Sequence, residues 1–205
     1  MPKSVLGIKI KGHVRAFDNL RPENTLFERD NIICDGTANL FARLLFASSD
    51  PVAGVWGLAI GAGGQGSGGW SPTVQPDPQA TQIALVSEIR RKQLAKTSYL
   101  DAESNVTAAL TTTVRFSTVL NSTLDQISVP IREMGLIGGG TNTVSLGGPT
   151  NMLTAPYFDP AAPSANTVTL INVINTPSFI LPTGISVGID WDLAMSEDSN
   201  DSEGS

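Results

Sequence analysis

Apolar and polar residues alternate with period two over three stretches of this chain, and that pattern constrains the fold more than any other feature. In residues 106–120, Val106, Ala108, Leu110, Val114, Phe116 and Leu120 alternate with Thr107, Thr111, Thr113, Arg115 and Ser117. In residues 5–17, Leu6, Ile8, Ile10, Val14 and Ala16 oppose Lys9, Lys11, His13 and Arg15. In residues 185–193, Ile185, Val187, Ile189, Trp191 and Leu193 alternate with Ser186, Gly188, Asp190 and Asp192. Successive side chains of a strand point to opposite faces, so each stretch reads as a half-buried strand. The first is predicted as one uninterrupted strand of roughly 50 Å.

Other segments fill in the same architecture. Turn residues at 18–24 separate the first strand from a second at Thr25–Ile33. Asp35 is placed to cap one helix, whose Leu40, Phe41, Leu44 and Leu45 form an apolar stripe suited to covering a sheet. Ser48-Ser49-Asp50-Pro51 ends it. Val55–Ile60 reads as a strand. Residues 83–93 are ambiguous between helix and extended chain. After a turn at 121–126, Ile127, Val129 and Ile131 begin a returning strand. Its apolar frame slips at Arg132-Glu133 before Met134 and Leu136, which predicts a β-bulge. Val168–Ile174 is a further strand. Residues 61–78 and 138–166 are glycine- and proline-rich, nearly uncharged and without period, as long loops are. The expectation is a mainly β protein: an antiparallel β-sandwich or curved sheet with one covering helix and two long Gly/Pro loops. Residues 1–194 form a single domain, and residues 195–205 an acidic tail.

Composition narrows the function classes. Of 205 residues, 40% are hydrophobic and 16% charged, with no apolar run long enough to cross a membrane as a helix. The first residues hold no long apolar stretch before a charge, so a secretory signal is not expected. One cysteine, Cys34, and one histidine, His13, exclude a disulfide framework and a multi-histidine metal site. The net charge of −6 is unevenly placed. Residues 1–132 hold 13 basic and 11 acidic residues, a net of +2, whereas residues 133–205 hold 8 acidic residues and no basic one. The separation suggests that the acidic end meets a basic surface. Lys9, Lys11 and Arg15 on the first strand are the candidate acceptors for Glu197, Asp198, Asp201 and Glu203. Nucleic acid is disfavoured as a partner, because tracking phosphates needs concentrated Lys and Arg.

No motif amounts to a catalytic or cofactor site. Gly61-Ala62-Gly63-Gly64-Gln65-Gly66 matches a dinucleotide fingerprint in letters, but Ser67-Gly68-Gly69-Trp70-Ser71-Pro72 cannot open the helix that the pyrophosphate requires. His13, among Lys9, Lys11 and Arg15, is expected to be solvated with a lowered pKa, unsuited to a triad. Glu88 and Glu133 sit beside arginines as structural ion pairs. Asp190 and Asp192 share a strand face, yet no third carboxylate at ligand spacing accompanies them. Trp70, in a Gly/Pro loop, is a candidate anchor for a partner or a sugar. No catalytic residue, cofactor or metal is expected.

Several segments, taken in order, resemble structural proteins of tailed bacteriophage virions: minor tail, baseplate, neck or fibre-associated proteins. They are Asn31-Ile32-Ile33 followed by Gly36 and the helix with Leu40, Leu44 and Leu45, then Leu58-Ala59-Ile60-Gly61 running into a Gly/Pro loop. Leu85 with Glu88-Ile89-Arg90, Val114-Arg115-Phe116, and Ile131 through Ile137 complete the set. The likeness spans about residues 25–137. It implies a non-enzymatic virion protein that assembles with copies of itself and connects tail, baseplate or neck components. It implies localisation in the virion, and in the host cytoplasm during assembly. The alternative is a carbohydrate- or receptor-binding module of a phage fibre, with a host glycan as ligand.

Overall fold

The computed structural model describes residues 8–46, 54–66, 69–70, 75–139, 153–158, 160 and 168–197. In chain order the strands are β1 (Ile8–Asp18), β2 (Arg21–Asp30) and β3 (Ile32–Ile33), then the helix α1 (Gly36–Phe46), then β4 (Val55–Gly61), β5 (Gln65–Gly66) and β6 (Gly69–Trp70). They continue with β7 (Glu88–Gln93), β8 (Lys96–Leu100), β9 (Val106–Thr107), β10 (Thr113–Asn121) and β11 (Ile131–Gly138). The last are β12 (Tyr157–Phe158), β13 (Thr169–Leu170), β14 (Asn172–Phe179) and β15 (Ser186–Glu197). One sheet has the order β2-β1-β15-β10-β8-β9 and the other β12-β7-β4-β11-β14-β3, with β13 also on β11 and β5-β6 a separate hairpin. Every described pairing is antiparallel. The fold is thus mainly β, two antiparallel sheets with one helix among the described residues. No described helix is long and apolar enough to cross a membrane.

Both sheets feed one core. Val14 and Ala16 of β1, Phe116 and Leu120 of β10, and Val187, Ile189, Trp191 and Leu193 of β15 meet Leu58 and Ile60 of β4 and Met134 and Leu136 of β11. The alternation in 185–193 therefore places its apolar set inward, with only Ile185 left exposed. The second sheet is buried on its other face too. There Cys34, Trp56, Ala59, Leu85, Ile137, Leu170 and Val173 pack with Phe158 and Val168. Burial on both faces explains why β4 reads as a nearly continuous apolar run.

Some expectations hold in detail and others are corrected. The face of β11 does flip, since Ile131 and Met134 lie in the same core. The ladder to β14 shifts between Ile131 and Glu133. The surplus residues, however, belong to β14 (Ile131 faces Phe179 while Glu133 faces Asn175), around Pro177, which has no N–H to give. The returning strand begins only at Ile131, after Pro130. Residues 83–93 resolve into a loop and then β7. The strand expected over 106–120 is broken into β9 and β10. Threonine side chains cause the break: Thr107 Oγ1 accepts from Ala109 N at 3.1 Å and Thr111 Oγ1 donates to Thr113 O at 3.0 Å. Such local bonds compete with a ladder.

The helix is present, but it covers less than its stripe implies. Its first amides, those of Thr37 and Ala38, bond to the carbonyls of Cys34 and Asp35. Thr37 Oγ1 donates to Ile171 O at 2.6 Å. Leu40 is buried, whereas Phe41, Leu44 and Leu45 are exposed. The last strand also runs past the expected boundary at residue 194. Met195, Ser196 and Glu197 continue β15, opposite Ile10, Lys9 and Ile8. Parts of both long loops, and residues 198–205, lie outside the described residues.

Candidate partner-binding surface

The outer face of the first sheet carries a lattice of charges set by strand register. One row runs Asp30, His13, Asp192, Arg115 and Ser98 across β2, β1, β15, β10 and β8. The next runs Glu28, Arg15, Asp190, Ser117 and Lys96. Directly opposed side chains on one face of a sheet interact, so these rows place carboxylates against cations. Arg115 grips Asp192 through two bonds of 2.7 Å, Nε to Oδ1 and NH2 to Oδ2. Its guanidinium also stands 3.8 Å from Asp190, whose Oδ1 accepts from Ser117 Oγ at 2.6 Å. The hydrogen bonds to Asp192, working against burial, hold the Arg115 pKa above its ordinary value. A cleft of about 390 Å³ opens here, lined by His13, Arg15, Glu28, Arg115, Asp190 and Asp192 among others.

His13 is not the cation-crowded, solvated residue the sequence implied. Its Nδ1 lies 2.8 Å from Asp30 Oδ1 and its Nε2 2.9 Å from Glu28 Oε1. A neutral imidazole has one N–H to donate, so both contacts are satisfied by the imidazolium. Burial lowers the His13 pKa, but the hydrogen bonds and charges of Asp30 and Glu28 outweigh it, and the net shift is upward. The two carboxylates come from β2, which the cations of β1 alone gave no reason to expect.

The residues expected to bind partners fall into different settings. Arg15 is occupied within its own chain: its Nε donates to Thr25 Oγ1 at 3.1 Å, NH2 donates to Pro22 O, and the group lies 5.0 Å from the Phe17 ring centre. Lys9 and Lys11 are exposed, opposite Ser196 and Ala194. Glu197 stands opposite Ile8, so the acidic end of β15 leaves beside the basic strand of the same chain. Asp198, Asp201 and Glu203 lie outside the described residues. Trp70 pairs with Gln65 across the β5–β6 hairpin, and its side chain lies outside what is described.

The glycine motif runs from β4 into β5, a strand where the fingerprint needs a helix. Gly64 N donates to Gln75 Oε1 at 2.5 Å, and Gln75 Nε2 donates to Asn175 Oδ1 at 3.0 Å, tying this loop to β14. Asp190 and Asp192 face Arg115, and no described cluster of three or more His, Cys, Asp or Glu residues is placed to hold a metal ion.

Sequence reasoning missed one buried ion pair and expected Glu133 to be held by an arginine, where the structure holds it on backbone amides. Lys92 and Asp125, each only 1% exposed, form an ion pair inside the protein. Asp125 Oδ2 also accepts from Asn121 N at 2.8 Å. Glu133, fully buried, accepts from the amides of Val86 and Ser87 at 2.9 and 2.7 Å. Gly61 makes room for it, since a Cβ there would sit 2.3 Å from Glu133 Oε1. Glu88 does pair with Arg91, at 2.5 Å.

The fold and this surface define a two-sheet β protein with a cross-linked polar face. No protein-family profile matches the chain, and no curated protein is significantly similar to it in sequence.

Proposed function

We propose that the chain is a non-enzymatic structural protein of a tailed bacteriophage virion, assembling with copies of itself and joining tail, baseplate or neck components. One observation carries the reading. The segments that resemble such proteins coincide with successive elements of a single frame: β3, α1, β4, β7, β10 and β11. Three of these, β7, β4 and β11, lie side by side in the second sheet. A likeness that follows framework elements fits a scaffold role better than a grafted site. The charged face of the first sheet supports it, because its side chains are spent on cross-strand bonds that stiffen the frame.

Mass spectrometry of purified tailed particles tests this reading. The chain should co-purify with intact particles at a fixed copy number and stay bound through a density gradient. Its recovery only in the lysate would refute the assignment. The alternative, a glycan-binding module of a fibre, rests on Trp70. A glycan screen in which binding is lost on Trp70→Ala would favour that alternative.

A further inference from the structure

On one side, β1 outruns its neighbour. Asn31 N donates to Gly12 O at 3.1 Å, the last bond between the β2 segment and β1. The chain then crosses to the second sheet, where Ile32 and Ile33 pair with β14. Along an antiparallel strand, main-chain groups point alternately to the two neighbours. Gly12 points towards β2, so Ile10 and Ile8 point the same way, and no described strand pairs with them on that side. Lys9 and Lys11 direct their main-chain groups to β15. A cleft of about 440 Å³ opens where β2 leaves, lined by Ile10, Lys11, Asp30 and Asn31 among others. An open edge of this kind is a template for an added strand.

Charge says what kind of strand it suits. Lys9 and Lys11 are exposed on the outer face, opposite Ser196 and Ala194, and among the described residues neither has an ion pair or side-chain hydrogen bond. The cations further along β1 differ, since His13 and Arg15 stand opposite Asp192 and Asp190. The carboxylates around the cleft are already answered, Asp30 by His13 and Asp192 by Arg115. Glu197, paired with Ile8, projects on the face opposite to Lys9. An incoming strand that matches this edge carries carboxylates at alternate positions. Asp201-Ser202-Glu203-Gly204 has that pattern.

We propose that residues 201–204 of one copy add antiparallel to the free edge of β1 in another. Asp201 then stands opposite Lys11 and Glu203 opposite Lys9, in the ladder pairs that bring side chains closest. Ser202 and Gly204 exchange main-chain bonds with Ile10 and Ile8. The tail cannot fill this edge of its own chain in the same register. Glu197 stands opposite Ile8 on the β15 side. Asp201 would have to lie about 10 Å across, two strand spacings away, and about 10 Å along, level with Lys11. Four residues span at most about 14 Å, the straight-line distance, and that line passes through β1. A second copy meets no such obstacle. Arg15 takes no part, because it is spent on Thr25 and Pro22. The inference does not depend on the proposed place in a virion.

Sedimentation velocity over a concentration series tests it on four full-length samples: the wild type, Lys9→Glu/Lys11→Glu, Asp201→Lys/Glu203→Lys, and an equal mixture of the two variants. Circular dichroism checks that each variant is folded. The wild type should associate as concentration rises. Each variant alone should associate roughly tenfold or more weakly, because its edge and its tail then carry like charges. The mixture should associate again, since each variant supplies the tail that suits the other's edge. Hydrogen exchange on the wild type separates an added strand from loose attraction: the Ile8 and Ile10 amides should exchange more slowly as concentration rises. A wild type that stays monomeric would overturn the proposal, as would variants that associate like the wild type or a mixture that fails to recover. So would Ile8 and Ile10 amides whose exchange ignores concentration.

Discussion

At the scale of single residues, the informative groups are those whose ionisation the fold has altered. His13 has its pKa raised from an ordinary value of 6.5. A group raised on folding stabilises the folded state fully below its unfolded pKa, and that contribution disappears as pH climbs through the folded value. The stability of the β1–β2 edge should thus decline as pH rises from 6.5 through the raised His13 midpoint. NMR titration of the imidazole should give a midpoint above 6.5 that falls in Asp30→Asn and Glu28→Gln; an unshifted midpoint in the wild type would contradict the clamp. Cys34 behaves oppositely to a reactive thiol. Burial first, and Asp35 second, push its pKa up to about 11. Because the thiolate is the nucleophile, a thiol reagent at neutral pH should label Cys34 only after denaturation. Rapid labelling of the native chain would disprove that. The Lys92–Asp125 pair gives a third test. Asp125→Ala leaves a buried ammonium without a counter-ion, held only by the Leu153 carbonyl, and should cost about 3–5 kcal/mol, whereas Lys92→Met with Asp125→Leu should recover much of the loss. Urea denaturation of the three proteins measures it.

At the scale of elements, β15 carries the ladder to Glu197. Met195, Ser196 and Glu197 form ladder pairs with β1, so deleting residues 195–205 should lower Tm, while deleting 198–205 should leave it nearly unchanged. Equal Tm values for the two truncations would show that those last pairs contribute nothing. This boundary shows what the sequence could disclose. Its alternation marked β1, β10 and β15 because one face of each is apolar and turned to the core while the other carries polar side chains, and the frame slip in β11 was legible because Ile131 and Met134 must both face inward. The rest depended on partners distant in the chain. The strand expected over 106–120 breaks where threonines bond locally, which a period of two does not register. Phe41, Leu44 and Leu45 have the spacing of a buried stripe, yet only Leu40 reaches the core. Lys92 sits in Arg90-Arg91-Lys92, a run that reads as solvated, and its counter-ion is 33 residues away. The acidic partners of His13 were in plain view on the next strand. Seeing the clamp required the β1–β2 register, which the turn at Asn19-Leu20 sets only together with the register shifts between Ala16 and Asp18 that bring His13 opposite Asp30.

At the scale of the whole molecule, the sheets share their core rather than owning separate ones. Trp191 from the first sheet lies in the same cluster as Met134 from the second. Neither sheet can expose its inner face without exposing the other's. Thermal unfolding should therefore be one cooperative transition, with the near-ultraviolet signal of the tryptophans and the far-ultraviolet signal of the strands coinciding. Two separated midpoints would mean that the sheets are independent units.

The pairing of Ile8 with Glu197 has a practical corollary for building with this protein. The chain enters and leaves the described fold at neighbouring points, and β1 carries that doorway roughly 35 Å from the Leu20 turn. A fluorescent domain or affinity handle joined directly at residue 8 or residue 197 starts from the same corner, at the far end of β1 from the Leu20 turn. A short peptide joining residue 197 to residue 8 would close the chain into a loop, and the backbone could then be reopened elsewhere to make a circular permutant.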